Sequence, residues 1–134
     1  MAEKGTKKMK AAHLTKETVL DMGVTDRGFP NFEVGDRIEV GQFVTEGSKE
    51  RVQKFEGDVI AFHRKGIGTT FTVRRICSNS IGVERIYPYY APIIESIKLL
   101  KQGLIRRAKL FYVRDRVGKS ARIKTRDKIV VRKK

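Results

Sequence analysis

Tryptophan is absent from this 134-residue chain, cysteine occurs once, histidine twice and proline three times. A lone Cys77 cannot close an internal disulfide. With only His13 and His63 beside it, the four clustered Cys/His ligands of a structural zinc are missing too. A reduced, intracellular compartment is the natural expectation. Apolar runs stop at about four residues, as in Val59-Ile60-Ala61-Phe62, far short of the roughly 20 that a membrane span needs. Met1 to Lys10 is polar and basic with no apolar stretch after it, unlike a secretory signal. The length fits one compact domain with extensions and excludes a large multi-domain enzyme.

Acidic residues are also scarce: 15 Asp and Glu stand against 30 Lys and Arg, for a net charge of +15. The imbalance is local. Residues 1–30 carry six basic and four acidic side chains, residues 31–100 ten and nine, and residues 101–134 fourteen and two. A nearly neutral middle is followed by a polycationic C-terminal quarter. Like charges at that density repel unless phosphates or counterions neutralise them, so the pattern points to a polyanionic partner.

The chain divides accordingly into an N-terminal extension (1–30), a β-rich domain (31–100) and a basic arm and tail (101–134). In the extension, Thr15 is placed to cap a short helix flanked by Leu14 and Val19 and ended by Gly23, and Gly28-Phe29-Pro30-Asn31 breaks the chain. The middle reads as strands. Arg37-Ile38-Glu39-Val40 alternates polar and apolar; Glu46-Gly47-Ser48 turns; Arg51 to His63 is a long strand whose centre is buried on both faces. Lys65-Gly66-Ile67-Gly68 turns again, Thr69 to Arg74 is β-branched and alternating, and Ser78-Asn79-Ser80 leads to a strand over Ile81–Tyr87. Pro88 and Pro92 bracket a corner before a last strand from Ile93 to Leu100. Five short strands with glycine turns predict a mostly β fold, a small closed or nearly closed SH3-like barrel, since closure removes exposed edges. Gly35-Asp36 and Gly57-Asp58 each precede an apolar strand, where Gly permits a tight entry and Asp bonds nearby amides. In the arm, Leu104 to Val113 fits a strand, with Leu110 and Tyr112 on one face, and equally a helix through Leu104, Ala108 and Phe111. The tail beyond it holds too little apolar surface to fold alone and is expected to order on a partner.

No catalytic constellation assembles. His63 sits beside Arg64 and Lys65, which oppose its protonation, and no nucleophile or orienting group is placed with it. Cys77 follows Arg74-Arg75-Ile76 but reads as a small core residue. Glu33, Asp36, Glu56 and Asp58 are expected at turns, capping backbone. Gly66-Ile67-Gly68 is too short for a phosphate loop. The expectation is a protein that is not an enzyme and takes no cofactor or metal.

What remains is basic side chains interleaved with aromatics. Arg forks onto phosphate or stacks on bases, and Tyr and Phe stack on unpaired bases. The main candidates for RNA contact are Arg106, Arg107, Lys109, Arg114, Arg116, Lys119, Arg122, Lys124 and Arg126; Arg64, Lys65, Arg74, Arg75 and Arg85 form a second group. Tyr87, Tyr89 and Tyr90 fit either a base stack or the core. Two rival readings are a KOW-like transcription or nucleoid factor and a polybasic membrane-surface protein, the latter disfavoured because the tail lacks a wide apolar face.

Several stretches carry a resemblance. Val44-Thr45-Glu46-Gly47-Ser48-Lys49-Glu50-Arg51-Val52-Gln53-Lys54-Phe55-Glu56-Gly57, Thr70-Phe71-Thr72-Val73-Arg74-Arg75-Ile76, and Gly82-Val83-Glu84-Arg85 are similar, in order, to the bacterial large-subunit ribosomal protein nineteen family. Arg107-Ala108-Lys109-Leu110-Phe111-Tyr112-Val113-Arg114, then Gly118-Lys119-Ser120-Ala121-Arg122-Ile123, resembles that family's signature region. The similarity runs from Phe32 to Arg126. It implies an SH3-like barrel with extensions that binds large-subunit rRNA near the face meeting the small subunit. It further implies a bridge to small-subunit rRNA, contacts with the neighbouring large-subunit proteins fourteen and three, a place in the cytoplasmic ribosome, and neither enzyme activity nor cofactor.

Overall fold

Residues 22–130 are described by the computed structural model. The helix expected around Thr15 lies outside them. Five strands form, β1 (Arg37–Glu46), β2 (Lys49–His63), β3 (Thr70–Ile76), β4 (Gly82–Pro88) and β5 (Ile94–Lys101). They make one antiparallel sheet in the order β4-β3-β2-β1-β5. Each strand is legible from alternation, because one face of the sheet is buried: Ile38 and Val40 of β1, Phe55 and Val59 of β2, Phe71 and Val73 of β3, Tyr87 of β4, and Ile94 and Ile97 of β5 share one core.

Residues from both outer strands meet in that core, so the sheet curls. Bulges bend it, in the β1–β5 ladder at Arg37/Ile38 and Gly41/Gln42 and in the β2–β3 ladder between Val59 and Ala61. The fold is mostly β and barrel-like, as expected, but among the described residues no ladder joins β4 to β5, and the curled sheet stays open there. The core also takes in residues ahead of β1, Phe29 at the end of the N-terminal extension and Phe32 just after it. Phe29 and Phe32 are buried, with Phe32 edge-on to Phe71 at 5.1 Å and Phe29 edge-on to Tyr89 at 5.6 Å.

The two Gly-Asp pairs differ. Gly35 has φ +92°, and the buried Asp36 carboxylate accepts the backbone N–H groups of Glu33 and Gly103, each at 2.9 Å. That is the capping expected of it. Gly57 and Asp58, by contrast, lie inside β2, as does Glu56, so neither carboxylate is at a turn. Glu56 meets Arg37 across the β1–β2 ladder at 2.7 Å. Gly57 is required by a close neighbour: a β-carbon there would run into the Arg74 carbonyl.

Beyond β5 the arm is docked on the sheet. Ile60, at the β2 bulge, faces away from the main core. It packs with Leu110 and Val113, and with the half-buried Val34, Ile105, Tyr112 and Ile123. Leu110 also donates its N–H to the Ile60 carbonyl at 2.8 Å. Burial of β2 on both faces therefore comes about, and the arm provides the second cover. These apolar residues of the arm are thus packed on the sheet, and Ile60 and Leu110 are both fully buried. Neither the strand nor the α-helix anticipated over Leu104–Val113 forms; short 3-10 turns at Phe111–Asp115 and Gly118–Ala121 do. The following segment pairs back on the end of β5, with Leu104 N–H to the Lys124 carbonyl and Arg126 N–H to the Gln102 carbonyl, both 2.8 Å.

Candidate nucleic-acid interface

The 3-10 turn at Phe111–Asp115 organises the basic residues. Its apolar residues alternate in role. Leu110 and Val113 face Ile60, so Phe111 and Tyr112 between them turn toward solvent and the edge of the small core. Each ring carries two cations. Lys109 Nζ lies 5.7 Å and Arg114 Cζ 4.5 Å from the Phe111 centroid; Arg107 Cζ lies 5.1 Å and Arg116 Cζ 4.6 Å from that of Tyr112. Such stacking holds a guanidinium at the ring while leaving its N–H groups for an outside acceptor. Phe111 is 41% exposed, so the array is at the surface.

Arg64, just past β2, joins this array. It lies 5.3 Å from the Phe62 ring and lines one cleft with Glu33, Val34, Ile105 and Arg107. Arg122, Lys124 and Arg126 are exposed on a largely extended segment, where spacing by two sets side chains on one side. Arg106 and Lys119 are also exposed.

The second group anticipated from sequence is not a single cluster. Arg64 and Lys65 follow His63, which pairs with Thr70 at the start of β3, whereas Arg74 and Arg75 lie toward the far end of that strand. Arg85 points inward, its guanidinium 5.0 Å from the Phe55 ring. Arg74 is half-buried, and its guanidinium lies over Gly82, where any β-carbon would collide with it. Strand pairing draws together residues distant in sequence but holds the two ends of one strand apart.

Glu84 is a site residue that the sequence alone does not single out. It stands opposite Arg74 on β4 and takes that arginine's Nη1 at 2.8 Å. Its carboxylate also accepts a fork from Arg114, Nε at 2.9 Å and Nη2 at 2.8 Å. Arg114 first, and Arg74 with it, hold the Glu84 carboxyl below its usual range against a smaller effect of burial. The signal in the sequence is the placement of one acid in the alternating strand Gly82-Val83-Glu84-Arg85, but its arginine partner 30 residues on is set only by the fold.

Tyr87 is buried in the main core, and Tyr89 packs against Phe29, Phe32, Phe62 and Phe71 with Tyr90 edge-on to it at 5.0 Å. His63 is exposed at the end of β2 and Cys77 is half-buried after β3. Among the described residues no three His, Cys, Asp or Glu side chains are grouped to hold a metal ion, and no helix is long and apolar enough to cross a membrane.

A family model described as ribosomal protein L19 matches residues 13–126. The chain is 52% identical over 101 residues to the large ribosomal subunit protein bL19 of Wolinella succinogenes, across 75% of this chain and 86% of that one. It is 52% identical over 102 residues to the protein of the same description from Borreliella burgdorferi strain ZS7 (76% and 83% of the two chains). It is 54% identical over 99 residues to the one from Sulfurovum sp. strain NBC37-1 (74% and 83%).

Proposed function

The chain belongs to the ribosomal protein L19 family, and from that premise we propose that it binds large-subunit rRNA through the cations ranged on Phe111 and Tyr112 and along the following segment. As a member it is a structural protein of the large ribosomal subunit, at work in translation in the cytoplasmic ribosome, and not an enzyme. The transcription-factor and membrane-surface readings give way to that membership.

One observation supports the RNA reading above the others: Arg107, Lys109 and Arg116 are held on two rings of a turn that is itself anchored by Leu110 and Val113. Preorganised guanidinium groups lose little freedom on meeting phosphate, and neutralised phosphates release counterions. The residues that touch RNA directly in this reading are Arg64, Arg106, Arg107, Lys109, Arg116, Lys119, Arg122, Lys124 and Arg126. Lys65, in the turn after β2, and Arg75, near the end of β3, are exposed cations outside that set. They suit a second RNA surface, the bridge to small-subunit rRNA that the family resemblance implies; proteins fourteen and three are the protein neighbours proposed on the same resemblance.

Lysine acetylation with and without protein-stripped large-subunit rRNA tests the assignment. Lys109, Lys119 and Lys124 should be protected, while Lys54 and Lys98, exposed on the sheet, stay reactive. Uniform protection of all five, or of none, contradicts it.

A further inference from the structure

Glu84 places a carboxylate beside the very face proposed to meet phosphates. On charge alone it should oppose binding. Its geometry says otherwise. One oxygen holds Arg74, and both oxygens take the Arg114 fork. Arg74 is half-buried, with its guanidinium lying close over the backbone of Gly82. Arg114 is in turn stacked at 4.5 Å on Phe111, the ring that also carries Lys109. A single connected path therefore runs from β3 through Arg74, Glu84 and Arg114 to the ring array. It ties the turn at Phe111–Asp115 to the sheet on the side not secured by Leu110 and Val113.

We propose that Glu84 is a positioning residue for RNA binding, and that Arg74 and Arg114 serve through it as struts that orient the Phe111 face and touch no phosphate themselves. The inference rests on the RNA reading above. It reassigns two arginines that composition alone places among the RNA-binding residues. Arg114 spends its Nε–Nη2 edge on the carboxylate and Arg74 its Nη1, so the N–H groups that meet Glu84 are not available to a phosphate.

The sign of one substitution separates this role from bulk electrostatics. Glu84→Gln removes a negative charge from a polyanion-binding face. If charge alone mattered, rRNA binding would tighten. The positioning role predicts that it weakens, by about two- to fivefold for a pair this exposed. Arg114→Lys, which keeps the charge but loses the fork and the stack, should weaken binding similarly and leave the slope of log K against log salt as in the wild type. Arg107→Gln should instead lower that slope by roughly 0.7–0.9, the share of a single phosphate. The measurement is filter binding of the full chain to protein-stripped large-subunit rRNA over a salt series, with circular dichroism of each variant. Should Glu84→Gln fail to fold, Arg114→Lys carries the test. Weaker binding at unchanged slope supports the proposal. Equal or tighter binding by Glu84→Gln, or a slope lowered by Arg114→Lys, overturns it. Wild-type protein that shows no salt-dependent binding at all overturns the RNA reading beneath it.

Discussion

Gly103 donates its backbone N–H to the Asp36 carboxylate at 2.9 Å, joining points 67 residues apart. The approach is closer than any other residue allows, because a β-carbon on Gly103 would enter the Gly35 carbonyl. Gly35, at φ +92°, is itself packed under Ile105. The entry to β1 and the exit from β5 are thus closed by one carboxylate and two glycines, and the basic arm starts from that fixed point.

Asp36→Ala strands two amide N–H groups in a buried site and should lower stability by about 2–3 kcal/mol. Gly103→Ala overpacks the same junction and should cost about 1–3 kcal/mol. Urea unfolding monitored by circular dichroism reads both. Destabilisation of less than about 0.5 kcal/mol in both variants would show that the junction is loose.

Leu110→Ala opens a cavity against Ile60 and removes the arm's main anchor. The expected cost is about 2–3 kcal/mol, at the low end for a buried leucine because the cluster is small. Trypsin should cut the variant within Arg106–Arg116 well before it cuts the sheet, while the wild type resists there. An arm cleaved equally fast in both proteins would contradict docking.

Two carboxylates should act oppositely with pH. Glu84 has its pKa lowered, chiefly by Arg114, so its pairing stabilises the fold above the ordinary glutamate range and is lost as pH falls through the lowered value. Asp58 has its pKa raised by burial, with Arg37 countering, so its contribution is full below the ordinary aspartate range and lost as pH rises through the raised value. Asp58→Asn should therefore flatten the stability profile on the acid side without loss at neutral pH, whereas Glu84→Gln should be less stable than wild type at neutral pH and converge with it in acid. Denaturant midpoints from about pH 3 to 7 check this, a range that spans the ordinary carboxylate values. Parallel profiles for the two variants would refute the assignment.

The strands are legible because alternation follows directly from one buried face, and the turns because Gly47 and Gly66 take positive φ and Ser78-Asn79-Ser80 turns the chain through the left-handed region at Asn79 and Ser80. Asp36 is legible as a backbone cap. Asp58 is not, since Gly-Asp carries no mark of whether a turn or a close strand neighbour requires the glycine. The docking of the arm is hidden for a similar reason. Its receptor, Ile60, faces outward by simple alternation after Phe55, Gly57 and Val59, but alternation does not say what covers it, and Leu110 and Val113, three residues apart, cover it from a 3-10 turn that the sequence does not distinguish from an α-helix. The basic character of the site is plain in the sequence. Its division into RNA-binding cations and struts depends on Glu84, and that pairing exists only in three dimensions.

The central claim is that preorganised cations on the Phe111–Tyr112 turn neutralise rRNA phosphates. The most direct measurement compares wild type with the triple variant Arg107→Gln, Lys109→Gln, Arg116→Gln, which leaves Leu110, Val113 and the sheet intact. Binding to protein-stripped large-subunit rRNA is followed across salt concentrations. The slope of log K against log salt should fall by about two to three units, roughly one for each phosphate no longer neutralised. An unchanged slope in a folded triple variant would contradict the account.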